Sequence, residues 1–170
     1  MNMMRLWRIG NHHFRSRRMS EFEGIFRPTE QTRILDVGGT AYNWQFVNAK
    51  PTVTLLNMTL EHLKNEPIDP SRFTAVIGDA TALQLPDRAY DVAYSNSVIE
   101  HVGTLDKQRA FAQEIRRVAD LYYVQTPYKW FPIEPHLIAQ FIHWLPPSIY
   151  RRLVRWFSVR GWLEKPNQAQ

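Results

Sequence analysis

The chain has 170 residues, 44% of them hydrophobic, which is enough to bury one substantial core and points to one domain with terminal extensions. It contains no cysteine, which excludes disulfides, thiolate zinc sites and cysteine nucleophiles and fits a reducing compartment, the cytoplasm by default. The net charge of +5 is unevenly spread: residues 1–33 carry seven Arg against three Glu, residues 136–170 carry four Arg and one Lys against one Glu, and the middle is net acidic.

Basic ends around an acidic centre suit an anionic surface or ligand, or form a solvated basic surface. No RNA- or DNA-reading motif is present, and the acidic middle interrupts any continuous track for phosphates, so nucleic acid is not expected as a partner. The N-terminus MNMMRLWRIGNHHF lacks a continuous apolar run, and no uncharged apolar stretch approaches the length of a bilayer span. Neither a secretory leader of that kind nor a membrane-spanning helix is expected.

Residues 1–32 read as a basic, partly helical extension. Five short runs then follow, rich in apolar and β-branched residues and bounded by Gly, Pro, Asp or Asn: RILDV (33–37), TVTLL (52–56), FTAVIG (73–78), YDVAYS (90–95) and LYYVQT (121–126). Such runs read as buried parallel strands. Helical segments are expected at 41–49, 59–65, 97–102 and 105–119, the last with Leu105, Phe111, Ala112, Ile115, Val118 and Ala119 on one face. Alternating strands and helices over 33–126 predict an α/β fold, a doubly wound, mostly parallel, Rossmann-like sheet with helices on both faces. Its ligands should sit beyond the carboxyl ends of the strands.

The third region, 127–170, changes character. PYKWFPIEPH has three prolines in ten residues and reads as a loop. LIAQFIHWLPPSIYRRLVRWF reads as an apolar helix broken at Pro146 and Pro147 and restarted at Ser148. There Ile149, Tyr150, Leu153, Val154, Trp156 and Phe157 oppose Arg151, Arg152 and Arg155, a pattern for a core-facing helix or for one lying in a membrane interface.

Chemistry-bearing residues gather just after the strands. Asp36, Gly38 and Gly39 end the first strand. The glycines allow close backbone approach, the following helix start favours an anionic group, and an acid inside the turn suits a ligand with an amino group better than a dinucleotide. Asn57, nineteen residues after Gly38, stands where nucleoside-binding folds grip ribose hydroxyls, or it caps the next helix. Met58 beside it either packs on a flat base or joins the core. Asp79 and Ala80 follow the third strand, offering a carboxylate for an exocyclic amine and an amide for a ring nitrogen. Ser95, Asn96, Ser97, Glu100 and His101 crowd the fourth strand end, which is costly unless they face a cleft.

ILDVGG followed by GDATALQLPDRAYDVAYSNSVIEHV resembles class I S-adenosylmethionine-dependent methyltransferases, over about residues 33–126. The resemblance implies S-adenosyl-L-methionine as cofactor. It assigns Asp36, Gly38 and Gly39 to the methionine end, Asn57 to the ribose, Met58, Asp79 and Ala80 to adenine, and Ser95 to the channel near the sulfonium. Asp91 takes the strand-start acid's structural place. The sequence departs from the family pattern at Thr40 and Tyr42, which occupy glycine places, and at Asn57, which replaces an acid. The two further strands that normally close the fold have little chain left to form them. That leaves the fifth strand as an edge to be covered by residues 137–157, by a second subunit or by chain not in this sequence.

The implied reaction is methyl transfer to a small-molecule or lipid-like acceptor, which needs no metal. His101 is the first candidate for the base, with Glu134 and His136 behind it. Tyr128, Trp130 and Phe131 are candidate walls of the acceptor pocket, and Arg17 or Arg18 is placed to meet a ligand carboxylate. Expected partners are the acceptor, a peripheral membrane contact and a homodimer through strand five or the C-terminal helix. The competing reading is a non-catalytic methyltransferase-like module that binds a protein through its open sheet edge.

Overall fold

The computed structural model describes the backbone of residues 3–64, 68–126, 133–134 and 139–140, and the side chains of residues 12–61, 63–64 and 68–126. By internal contacts the chain divides into two units, Met1–Thr126 and Pro127–Gln170.

The first unit opens with helix α1, Met3–Phe26. Five strands follow: β1 (Arg33–Val37), β2 (Thr52–Asn57), β3 (Phe73–Ile77), β4 (Tyr90–Asn96) and β5 (Ala119–Gln125). They form one sheet in the order β3-β2-β1-β4-β5, parallel at every pairing. The chain reverses its direction of travel across the sheet between β1 and β4, and ligands of such folds bind beyond the strand ends at that place. Helix α2, Leu105–Val118, crosses from β4 to β5.

Because successive strand residues point to opposite faces, the sheet sorts its core into two layers. Ile34 of β1, Val53 and Leu55 of β2, and Val92 and Tyr94 of β4 pack with Met19 and Phe22 of α1 and with Trp44. Leu35 and Val37, Leu56, and Ala93 pack on the other face with Phe111, Ile115 and Val118 of α2. Leu105 and Ala112, expected on the buried face of α2, are instead exposed. The buried set, Phe111, Ile115 and Val118, keeps the i, i+4, i+7 spacing of a narrow stripe, and the two others fall outside it.

The expected helices at 41–49, 59–65 and 97–102 are short 3-10 turns, Ala41–Phe46, Glu61–Leu63 and Ile99–His101. Their burial explains the tighter winding. Ala41, Trp44 and Val47 pack inward at a spacing of three, as do Leu60 and Leu63, and three residues per turn is the 3-10 repeat. Strand β5 begins at Ala119, two residues before its expected start, and α2 ends at Val118.

Between β3 and β4 there is no helix. That segment is tied to α2 by Glu114 and Arg117: Glu114 Oε2 accepts from Leu83 N at 2.8 Å, and the Arg117 guanidinium donates to Leu83 O, Leu85 O and Asp87 Oδ1 at 2.9, 2.7 and 2.7 Å. Asp91 takes Arg33 N at 2.7 Å and Arg33 Nη2 at 3.2 Å, which joins the starts of β4 and β1.

In the second unit, β6 (Ile133–Glu134) pairs antiparallel with β7 (Ala139–Gln140). This corrects the expectation of a loop through 136 and a helix from 137. The four residues between the strands begin with Pro135, which supplies no backbone donor to a helix or ladder. Pro146, Pro147, Ser148 and the basic, aromatic segment after them lie outside the described residues.

Candidate functional site

A cleft of about 250 Å³ opens at the carboxyl ends of the strands. It is built from neighbouring strand ends. Val37 and Gly38 come from the end of β1 and the turn after it, Leu56, Asn57 and Met58 from the end of β2 and the residue after it, and Gly78, Asp79, Ala80 and Thr81 from the segment after β3. Val98, His101 and Val102, which follow β4, and Lys107 in the first turn of α2 close the other side.

Gly38 has φ +75°, a left-handed conformation that side chains oppose, and a Cβ there would stand 2.5 Å from Val98 Cγ2. Two constraints therefore demand glycine at this position. Val98 is brought over the turn after Ser97, itself at φ +57° and held by its N–H to Gln125 O at 2.8 Å. A non-glycine left-handed residue at a strand end is strain of the kind that collects at binding sites.

Asn57 is 6% exposed and donates Nδ2 to Gly39 O at 2.9 Å, so the end of β2 braces the glycine turn. The remaining side-chain acceptor is Oδ1. Asp79 Oδ1 accepts from Thr81 N at 2.8 Å and Thr81 Oγ1 at 2.7 Å. These two donors, with the charge of Lys107 adding to them, hold the Asp79 carboxyl below the usual carboxylate range. Met58 is 74% exposed at the rim, an apolar surface left in the open rather than in the core.

Asp36 lies beside the cleft and does not line it. Alternation along β1 sends its side chain to the α1 face, where it is fully buried and Oδ2 accepts from Trp44 Nε1 at 2.8 Å. Oδ1 is buried and accepts no hydrogen bond from the described residues. Burial raises the Asp36 pKa to about 7, against the pull of the Trp44 hydrogen bond. Gly39 sits directly against this carboxylate: a Cβ there would collide with Asp36 Oδ2, Cγ and Oδ1. Tyr94 feels the same carboxyl, and burial, with the Asp36 charge adding to it and Arg18 opposing it, pushes its pKa up to about 12.

Ser95 is fully buried and donates Oγ to Val37 O at 3.1 Å, tying β4 to β1 and not lining the cleft. Thr40 is extended at φ −132°, and Tyr42 is exposed under the Arg15 guanidinium at 5.3 Å and edge-on to Phe46. Neither side chain at these former glycine places lines the cleft. Arg18 acts electrostatically on Tyr94 and Tyr123, and Arg17 is exposed; neither lines the cleft.

His101 lines the cleft with a side chain 58% exposed, its Nε2 4.0 Å from Glu100 Oε1. Glu100 is anchored in turn by Thr126 Oγ1 at 3.1 Å. Glu134 is described only as backbone within β6, and Tyr128, Trp130, Phe131 and His136 lie outside the described residues. Among the described residues no His/Cys/Asp/Glu group could hold a metal ion, and no helix is long and apolar enough to cross a membrane.

The structure therefore brings together Gly38, Asn57, Met58, Asp79, Ala80 and His101, and sets Asp36, Gly39 and Ser95 beside them. Thr81, Val98, Lys107, Trp44 and the Glu114 and Arg117 pair were not singled out from sequence. The D-A-T spacing after β3 was the available signal for Thr81, because Asp and Thr two residues apart commonly close a side-chain turn.

Residues 30–120 match the family model described as a methyltransferase domain. No curated protein gives a significant sequence match. A candidate methyltransferase from an antibiotic biosynthesis pathway of Anabaena variabilis is similar at TM-score 0.53 and 19% identity, over 87% of this chain and 58% of that one. A chain from the complex between the Haloferax volcanii Trm112 methyltransferase activator and a candidate methyltransferase is similar at TM-score 0.50 and 17% identity, over 66% of this chain and 51% of that one. This chain thus spans a little over half the length of those similar structures, which at such identities share its fold.

Proposed function

Because the chain belongs to the methyltransferase-domain family, whose cofactor is S-adenosylmethionine, we propose that it transfers a methyl group from that cofactor to a small-molecule or lipid-like acceptor. The observation that carries the reading is the convergence of Gly38, Asn57 and Asp79, from three adjacent strand ends, on one cleft.

The residues fit the cofactor in two parts. The cleft, near the lower end of the size range of ligand pockets, would take the nucleoside part. Asn57 Oδ1 would accept from ribose and Asp79 Oδ2 from the adenine amine, with Ala80 N–H toward a ring nitrogen and Met58 against the base. The methionine end belongs at the glycine turn. There the Asp36 carboxyl, buried behind Gly39 and outside the cleft lining, would favour an ammonium group through its charge rather than by direct contact. Ser95 would act indirectly, by holding Val37 beneath the turn.

When bound, the cofactor supplies an electrophilic methyl group on a sulfonium. The protein's part is to hold acceptor and methyl in line and to exclude water. His101, which lines the exposed side of the cleft, would take the acceptor's proton as its oxygen or nitrogen attacks.

Titration of the folded protein with S-adenosylhomocysteine tests the reading. Saturable binding in the micromolar range is expected, and no heat at millimolar ligand would sink it.

The second reading, a partner-binding module, is favoured by apolar side chains exposed on both edge strands. Ile77 on β3 is 64% exposed, and Leu121 and Tyr122 on β5 are each 53% exposed. A chain of similar fold is found in complex with a protein activator. Concentration-dependent self-association or a stable partner, combined with absent cofactor binding, would select this reading.

A further inference from the structure

Helix α1 is charged against its own dipole. The first twenty residues of the chain carry five Arg and neither Asp nor Glu, whereas residues 21–26 carry Glu21 and Glu23 and no basic residue. Arg5 stands in the first turn of α1 and Glu23 in the last, where a helix gains from the opposite signs. Glu23 has a structural reason for its place, since its two oxygens accept from Asn48 Nδ2 at 3.0 Å and from Ala49 N at 2.9 Å. Arg17 has none of that kind: it is exposed and meets no carboxylate among the described residues. A surplus of arginine that does not serve the helix itself suits an anionic surface outside the protein.

The basic half of α1 lies toward the carboxyl ends of the strands. His12 packs edge-on against Phe46 at 4.9 Å, and the Arg15 guanidinium stands 5.3 Å over Tyr42, just past the glycine turn. Met19 and Phe22 face the core, while Phe14 is 64% exposed and one helical turn from the exposed Arg17. A membrane interface accepts such a pair, the ring entering the acyl boundary while the guanidinium stays at the phosphates. Nucleic acid is served less well, because the acids that begin at Glu21 end the basic track. We propose that the first half of α1 docks on an anionic lipid bilayer, with Phe14 entering the interface and Arg17 meeting lipid phosphates. The contact turns the cleft's end of the sheet toward the membrane. It goes beyond the cofactor reading and does not need it; with that reading, a lipid-like acceptor would reach the cleft from the bilayer.

The test is co-sedimentation of the full chain with vesicles of phosphatidylcholine alone and of phosphatidylcholine with about one third phosphatidylglycerol. Binding is expected only to the anionic vesicles and is expected to fade at high salt. Phe14→Ser and Arg17→Gln, both at exposed positions, are expected to leave the melting temperature unchanged and to weaken vesicle binding about fivefold or more each. No binding to anionic vesicles overturns the inference, as does equal binding to both kinds. Binding that neither variant weakens also overturns it, by placing the contact elsewhere on the chain. Retention of a single-stranded oligonucleotide that Arg17→Gln weakens, with no vesicle binding, overturns it in favour of nucleic acid. Calorimetry with S-adenosylhomocysteine is a separate readout: failure of that ligand to bind would sink the reading of the cleft and leave this surface standing.

Discussion

Asn57 Nδ2 donates to the carbonyl oxygen of Gly39 at 2.9 Å, so the residue at the end of β2 holds the turn at the end of β1. The amide does this while keeping an acceptor for the cleft, which a carboxylate cannot. In Asn57→Asp both side-chain atoms facing Gly39 and the cleft become acceptors, and the carboxylate would be 6% exposed against a carbonyl oxygen. The exchange leaves a half-buried carbonyl without its donor and buries a charge, a loss of about 2 kcal/mol. Asn57→Asp is therefore expected to lower the melting temperature and to weaken S-adenosylhomocysteine about tenfold or more. The measurement is thermal melting beside calorimetry, and tighter binding by the aspartate would refute the bracing role.

Gly38→Ala meets two obstacles at once, a left-handed φ of +75° and the Val98 methyl 2.5 Å from the new Cβ. The backbone term alone costs on the order of 1 kcal/mol. Pairing the change with Val98→Ala separates the terms. The double variant is expected to recover part of the lost stability and ligand affinity, the steric part, and the φ cost is expected to remain. Equal stability of the single and double variants would show that Val98 does not press on the turn.

All five sheet strands were legible in the sequence because β1 to β5 are short apolar runs cut off by turn residues, although only β1, β2 and β4 are largely buried and the edge strands β3 and β5, expected to be buried too, leave most of their residues exposed. Gly38, Asn57, Asp79 and His101 were legible because the topology sends every strand end to the same side. What the sequence hid was side-chain direction. Asp36 and Val37 are adjacent and both sit at the end of β1, yet Val37 lines the cleft and Asp36 faces Trp44 on the opposite layer. The helical winding at 41–46 was hidden for a related reason, since the three-residue separation of Trp44 and Val47 suits one face of an α-helix as well as a 3-10 turn until the packing chooses between them. Arg117 read as an ordinary basic residue near a helix end, and its hold on Leu83, Leu85 and Asp87 depends on a segment thirty or more residues away.

The buried Asp36 carboxyl makes stability depend on pH in an unusual direction. Its pKa is about 7 in the folded protein against 3.8 for the free side chain, so between those values the native state holds a proton that the unfolded chain has released. Stability consequently falls as pH rises from about 4 to about 7 and the contribution levels off above that, by up to about 4 kcal/mol. The groups facing the carboxyl are the Trp44 indole N–H and the Tyr94 hydroxyl, with Arg18 acting on Tyr94. Asp36→Asn removes the titrating group. The gap between its melting temperature and that of the wild type is expected to move in the variant's favour from pH 5 to pH 8, and a constant gap would show that Asp36 does not titrate there. The same variant checks the methionine end: it is expected to weaken S-adenosylhomocysteine about tenfold and to leave 5′-methylthioadenosine, which lacks the amino-acid group, unchanged.

Arg117 is the staple of the irregular segment that carries Thr81 toward β4. Its guanidinium spends donors on two carbonyl oxygens and Asp87, while Glu114 binds it at 2.7 and 2.9 Å and accepts from Leu83 N. Those carboxylates hold the guanidinium firmly in its charged form. Only a planar fork reaches these acceptors together, so Arg117→Lys is expected to behave like Arg117→Met and not like the wild type. Both variants should speed amide hydrogen exchange in residues 80–88 before exchange in β1 or β4 changes, because the segment has no ladder or helix of its own to protect it. S-adenosylhomocysteine affinity should fall about three- to tenfold as Asp79 and Ala80 lose their support. Exchange followed by mass spectrometry reads the first effect and calorimetry the second. Lysine restoring both would mean that one charge, rather than the fork, holds the floor of the cleft.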